Sequence, residues 1–179
     1  GATRYDTAVQ ISQARGATAD VVYIASGTNY PDALSAAPAA TLLGGPLLLV
    51  DPNLVPDVIR AEITSLKPRL IVVVGAESAV SAQVYDDLAT LAPEIRRDFG
   101  ADRFETSRVI AERAFTTGST TAYLATGLGF ADALTAGAAA GAKRAPVILV
   151  DGAATTVDAA TVATLTTLGV TNVLIAGSS

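Results

Sequence analysis

The chain repeats itself, and that restricts its fold more than any other property. Gly1-Ala-Thr-Arg-Tyr-Asp-Thr-Ala8 returns as Gly100-Ala-Asp-Arg-Phe-Glu-Thr-Ser107, with an aromatic, an acid and a small residue kept in place. Tyr23-Ile-Ala-Ser-Gly27 returns as Tyr123-Leu-Ala-Thr-Gly127, and Tyr30-Pro-Asp-Ala-Leu-Ser-Ala36 as Phe130-Ala-Asp-Ala-Leu-Thr-Ala136. Pro46-Leu-Leu-Leu-Val-Asp51 matches Pro146-Val-Ile-Leu-Val-Asp151, and Leu70-Ile-Val-Val-Val-Gly75 matches Asn172-Val-Leu-Ile-Ala-Gly177. Five blocks in one order at a nearly constant offset exceed what chance gives in an Ala-rich chain. The first copy continues past Gly75 through Ser78-Ala-Val-Ser81, a helical stretch to Leu91, and Glu94-Ile-Arg-Arg-Asp98. Only Ser178 and Ser179 follow Gly177. We therefore expect one unit over residues 1–99 and a second over 100–179 that lacks its last helix and strand, in a parent protein that continues.

Within each copy two periodicities alternate. Asp20–Ala25, Pro46–Val50 and Leu70–Val74 are short apolar runs without polar alternation, the pattern of strands buried on both faces of a parallel sheet. Thr7–Arg15, with Ala8, Ile11 and Ser12 on one face, and Val55–Leu66, with Val55, Ile59, Ile63 and Leu66, read as amphipathic helices. Val80, Val84, Leu88 and Leu91 give a third helix, with Ser78 as its expected N-cap. Helices from about Pro31 and Ala131 are rich in Ala, which permits close approach to a sheet or to one another, and Pro38 should kink or shorten the first. Alternation of strand and helix implies right-handed crossovers and an α/β fold: tandem three-layer units with parallel sheets, Rossmann-like or Toprim-like.

Composition removes most catalytic toolkits. Of 179 residues half are hydrophobic and 16% are charged, with no His, Cys, Met or Trp. Without His or Cys there is no ordinary zinc site, imidazole base or thiol nucleophile, and we expect neither metal nor cofactor. The net charge of -5 argues against a nucleic-acid partner. Apolar runs are broken at Gly44, Gly45 and Pro46, so no membrane span is expected. A start at Gly1 reads as a processed or excised segment, compatible with a removed signal peptide.

In open parallel sheets ligands sit at the carboxyl ends of strands, beside helix N-termini. Here that place is the junction Ala25-Ser-Gly-Thr-Asn-Tyr-Pro-Asp32. Gly27, Asn29 and the helix start could cradle an anion or sugar; the plainer reading is a tight turn with Pro31 at the first helical position and Asp32 complementing the macrodipole. Arg4 and Arg103, equivalent in the repeat, could grip phosphate or carboxylate, or pair internally with Asp6 or Asp32 and with Glu105 or Asp132. Arg96 and Arg97 read as a solvated strand edge or as added positive charge. Asp32, Asp132, Asp51 and Asp151 suit capping and turns better than a glycosidase pair.

At these residues the sequence resembles the cell wall-binding repeat 2 family, anchoring modules of bacterial surface proteins. The resemblance is carried by Arg97-Asp-Phe-Gly-Ala-Asp-Arg-Phe-Glu-Thr106 and Gly1–Ala8, by Ser26-Gly-Thr-Asn-Tyr-Pro-Asp-Ala-Leu-Ser35, by Pro46-Leu-Leu-Leu49, and by Val73-Val-Gly-Ala-Glu-Ser-Ala-Val-Ser81. Departures are Thr3 for an acid, Ala76 for a glycine, Ala131 for a proline, and Gly129 opposite Asn29. What the resemblance implies is a non-catalytic module, exported to the cell wall or surface, that binds an anionic, teichoic-acid-like wall polysaccharide. Any catalytic domain would lie outside this segment. The polymer-binding residues implied are Arg4, Thr7, Gly27, Asn29, Asp32, Ser35, Arg97, Arg103, Thr106, Gly127, Asp132 and Thr135. Family modules pack in threes, so a third repeat in the same parent, or a homo-oligomer, is expected beside these two. Two other readings stay open on the residues alone: a phosphorylated-ligand binder or enzyme using the Gly27 loop, and a surface-assembly module joined through the Ala-rich helices.

Overall fold

A computed structural model describes residues 1–177. The first copy runs α1 (Arg4–Arg15), β1 (Val21–Ser26), α2 (Pro31–Leu42), β2 (Leu47–Val50), α3 (Asp57–Leu66), β3 (Leu70–Val74), α4 (Ala82–Ala89) and β4 (Glu94–Asp98). The second runs α5 (Arg103–Ala114), β5 (Thr121–Thr126), α6 (Ala131–Lys143), β6 (Val147–Val150), α7 (Ala159–Thr167) and β7 (Asn172–Ala176). Each copy builds its own parallel sheet, ordered β2-β1-β3-β4 and β6-β5-β7. The expected α/β repeat is what forms.

The strands were legible because both sheet faces are covered. Val22, Ile24, Leu48, Val50, Ile71 and Val73 point to one side of the first sheet, against α1, α3 and α4 through Ala8, Ile59, Ile63, Val84 and Leu88. Val21, Tyr23, Ala25, Leu70, Val72 and Val74 point to the other, where α2 packs. The second copy's α5 joins α2 on that side through Ile110, Ala111 and Ala114. It also packs on β6, so one helix closes the cores of both copies. The two repeats therefore share part of one hydrophobic core.

The Ala-rich helices do what small side chains allow. α2 and α6 pack directly on each other, and a Cβ built on Gly141 would stand 3.5 Å from the Thr41 side chain. Pro38 neither kinks the chain out of helix nor ends it: α2 runs on to Leu42 with Pro38 buried. The carbonyl that Pro38 leaves without its helical donor is Leu34's, and it faces Gly137 of α6, 3.9 Å from where a side chain would begin.

Three further expectations fail for local reasons. Ser81, not Ser78, caps α4, its Oγ accepting from the Val84 amide at 3.4 Å; residues 76–80 form a turn that buries Val80 before the helix starts. Ile11 is 68% exposed, because α1 is covered by α3 and the sheet but borders an open groove on its other flank. Arg96 and Arg97 are not a solvated edge. Arg96 lies beside Asp98, which is fully buried, and Arg97 turns over the Tyr85 ring, its guanidinium carbon 4.9 Å from the centroid.

Candidate functional site

The strand order reverses beside β1 in the first sheet and beside β5 in the second, so the carboxyl ends of β1 and β3, and of β5 and β7, frame the crevices where open α/β sheets bind ligands. Two glycines with two different jobs shape each crevice. Gly27 lies beneath α1: a Cβ there would come within 2.8 Å of the Tyr5 ring and 3.1 Å of the Arg4 side chain. Gly127 lies beneath α5 in the same way, 2.6 Å from the Phe104 ring and 3.2 Å from Arg103. The repeated Arg-aromatic pair and the repeated loop glycine are thus one device, which seats the arginine over the strand end. Gly75, at φ 94°, and Gly177, at φ 135°, end β3 and β7 in backbone that favours glycine and leave room for the carboxylates of Asp32 and Asp132.

The arginines are held by backbone, not by acids. Arg4 Nη1 donates to the Gly27 carbonyl, and Arg103 Nη1 donates to the Gly127 carbonyl at 2.6 Å. Among the described residues neither forms an ion pair. Asp6 instead closes a capping box with Thr3, whose hydroxyl bond holds the Asp6 carboxyl below its ordinary range, and Glu105 accepts from the Ala101 amide. The internal pairings weighed from sequence do not form. Burial raises the Asp32 carboxyl above its ordinary value, with the positive charge of Arg103 countering part of that rise. Among the described residues the Asp32 side chain makes no hydrogen bond.

Two amides of the Gly27 loop suggested as an anion cradle are already engaged, as are their counterparts in the second copy. The Gly27 and Gly127 N–H groups donate to the Val50 and Val150 carbonyls, at 2.7 and 2.9 Å, extending the sheets. The amides of Thr28 and Leu128 donate to the hydroxyls of Ser26 and Thr126, both at 3.2 Å. Pro31 does stand at the first position of α2 and Asp32 in its first turn, as the plain turn reading requires. Asp51 and Asp151 likewise make turns, accepting from the amides of Asn53 and Ala153.

The remaining expected residues separate by copy. Arg4, Thr7 and Asn29 are exposed, whereas Ser35 is buried with its hydroxyl unpartnered among the described residues. Thr106 is buried and accepts from the Gly100 amide at 3.0 Å; Thr135 is exposed and bonds its own helix. Arg97 donates to the carbonyls of Gly75 and Val80, both at 2.9 Å, pinning the turn after β3; burial lowers its guanidinium's ordinary value. Arg4, Gly27 and Asn29 thus gather at one strand end. Arg103 and Gly127 gather at the other, and Asp32 lies against Gly75 of its own copy.

Sequence reasoning missed two features here. One is the anchoring of each arginine on a loop carbonyl, Arg4 on Gly27 and Arg103 on Gly127. The other is the pair Tyr30–Phe130, whose ring centroids are 5.7 Å apart in an edge-on arrangement at 63°. The signal for the pair was present, since both positions carry an aromatic in the repeated block.

Comparison with known proteins follows this geometry. The family described as Cell wall binding domain 2 (CWB2) matches residues 1–85 and again residues 97–179. The N-acetylmuramoyl-L-alanine amidase LytC of Bacillus subtilis is 27% identical over the whole chain, which covers 35% of that protein. Among solved structures, Cwp8 from Clostridium difficile superposes with a TM-score of 0.88 at 31% identity, over 99% of this chain and 30% of that one. Cwp6 from the same organism gives 0.87 at 29% identity, over 98% and 28%. The chain spans about a third of the length of such relatives.

Proposed function

The chain belongs to the cell wall binding domain 2 family and is a non-catalytic, cell-wall-binding module; on that premise we propose that it holds an exported protein to an anionic, teichoic-acid-like wall polysaccharide through the strand ends and the cleft between its copies. One observation carries the reading. Arg4 and Arg103 are each fixed by one N–H to a loop carbonyl, and neither is neutralised by an acid of the chain among the described residues. A guanidinium has five N–H donors in a planar fork, so the others can meet phosphate or carboxylate oxygens. Two such arginines at equivalent positions suit a polymer that also repeats, because the second contact forms at high effective concentration.

The overall charge of -5 opposes a polyanion, so attraction must be local and must weaken with salt. Asn29, Thr7, Asp32, Asp132 and Thr135 offer neutral or accepting contacts for sugar hydroxyls beside the arginines, while Ser35, Thr106 and Arg97 support the surface from within. A third repeat, from the parent chain or another molecule, would complete the assembly. Supporting it is the apolar groove of about 770 Å³ between α1, α2 and α6.

The test is sedimentation of the protein with purified bacterial walls, before and after acid removal of anionic polymers, across a salt series. Binding that vanishes on stripping, falls with salt, and drops further in Arg4→Ala and Arg103→Ala is expected. Equal binding to stripped walls would overturn the anionic-polymer reading.

A further inference from the structure

We propose that Tyr30 and Phe130 form a stacking platform for a pyranose ring of the wall polymer, an inference that rests on the wall-binding reading and adds a sugar-specific site to it. The aromatics are scarce, 5 Tyr and 4 Phe in 179 residues, yet these two are 41% and 55% exposed. They occupy the N-cap positions of α2 and α6, and neither makes a capping hydrogen bond. An N-cap ordinarily favours Ser, Thr, Asp or Asn. An aromatic at that place in both copies therefore gives up local helix stability, the kind of conflict expected where a residue serves something other than the fold.

Their setting is that of a carbohydrate site. Packed edge-on, the two aromatic residues still keep a large share of their surface open to solvent. Asp32 lies two residues beyond Tyr30, its carboxylate set against Gly75 and without a hydrogen bond among the described residues. Phe130 lies three residues beyond Gly127, whose carbonyl holds Arg103. A pyranose presents a C–H face and a rim of hydroxyls. The face would lie on the rings, hydroxyl groups would donate to Asp32, and Arg103 would donate to ring substituents or a linking phosphate. A purely apolar partner would leave the Asp32 carboxylate without a hydrogen-bond donor, which disfavours it.

Binding to purified bacterial walls is measured for Tyr30→Ala, Phe130→Ala, Tyr30→Leu, Phe130→Leu and Tyr30→Phe, with a melting curve for each variant. Loss of either ring is expected to weaken binding on the order of fivefold to tenfold, the worth of one aromatic contact. Tyr30→Phe should retain binding. Because no charge is removed, the salt dependence should keep its slope, unlike that of Arg103→Ala. The leucine variants keep apolar volume without a ring; full binding by them would overturn the proposal. So would alanine variants that melt as wild type and bind as wild type, while the anchor reading stood. No wall binding by the wild type would instead remove the anchor reading itself. Walls that lose binding on protease treatment but not on acid stripping would point to a protein partner and overturn the sugar site.

Discussion

Arg113, on the first helix of the second copy, donates to the fully buried carboxylate of Asp98 at 2.6 Å, so the last strand of one repeat is tied to the opening helix of the next. Asp98 has a second cation, Arg96, at 3.1 Å, while its own backbone carbonyl accepts from Gly75. Nearby, burial pushes the Tyr23 phenol up to about 12.

The two cations are not equivalent in what their loss exposes. Arg113→Ala leaves Asp98 with Arg96 and should cost about 1–3 kcal/mol. Removing both arginines strands a buried carboxylate and should cost about 3–5 kcal/mol, more than Asp98→Ala, which leaves two half-exposed arginines free to turn to water. Urea unfolding of the three variants orders them. A single transition should persist in each, because α5 closes both cores.

Asp32 should show a conflict between stability and binding. Its carboxyl is raised from the ordinary 3.8, chiefly by burial, so the native state holds more protons than the unfolded state between 3.8 and the raised value. Wild-type stability therefore falls as pH rises through that window, and the penalty stays in full above it. Asp32→Asn should melt higher than wild type at pH 7 and close to it at pH 3, while binding walls more weakly at pH 7. Identical melting at both pH values would show that ionised Asp32 carries no penalty.

Gly127→Ala tests whether loop glycine and helix arginine are one device. The new Cβ would meet the Phe104 ring at 2.6 Å, and overpacking of this kind costs about 1–3 kcal/mol. The φ of Gly127 is not in the left-handed region, so the cause is contact rather than backbone strain. Phe104→Leu in the same chain should restore part of the loss. Wall binding should fall in Gly127→Ala, because Arg103 is displaced with the ring.

How much was readable from the sequence follows from which interactions are local. β3 lies over Leu70–Val74, the very residues of the apolar run, because a strand covered on both faces writes its burial in every position. Ile11 misled because helix periodicity predicts a covered face only where the neighbour is present. Pro38 misled because a missing helix bond is tolerated where a second helix packs against the freed carbonyl. Within the site, the repeat singled out Arg4, Arg103, Gly27 and Gly127, and the structure joins Arg4 to Gly27 and Arg103 to Gly127. It could not reveal that each arginine is held by a glycine carbonyl and not by an acid, because that contact depends on how the helix lies over the strand end.

The repeat also records an exchange of roles that can be reversed by design. Glu62 on α3 and Thr164 on α7 are equivalent positions, as are Gln13 on α1 and Glu112 on α5. In the first copy Gln13 Nε2 donates to Glu62 at 3.1 Å, joined by Ser12 Oγ at 2.6 Å; in the second Thr164 donates to Glu112 at 2.6 Å. The acid has changed helices while the bridge between them stayed. Glu62→Thr alone leaves buried Ser12 without its acceptor and should cost about 1–3 kcal/mol. Adding Gln13→Glu and Ser12→Ala recreates the second copy's arrangement and should recover most of that loss, with a coupling of at least about 1 kcal/mol in the cycle. Strict additivity would mean that the bridge contributes nothing as a pair and that only the packing of α1 on α3 is held in common.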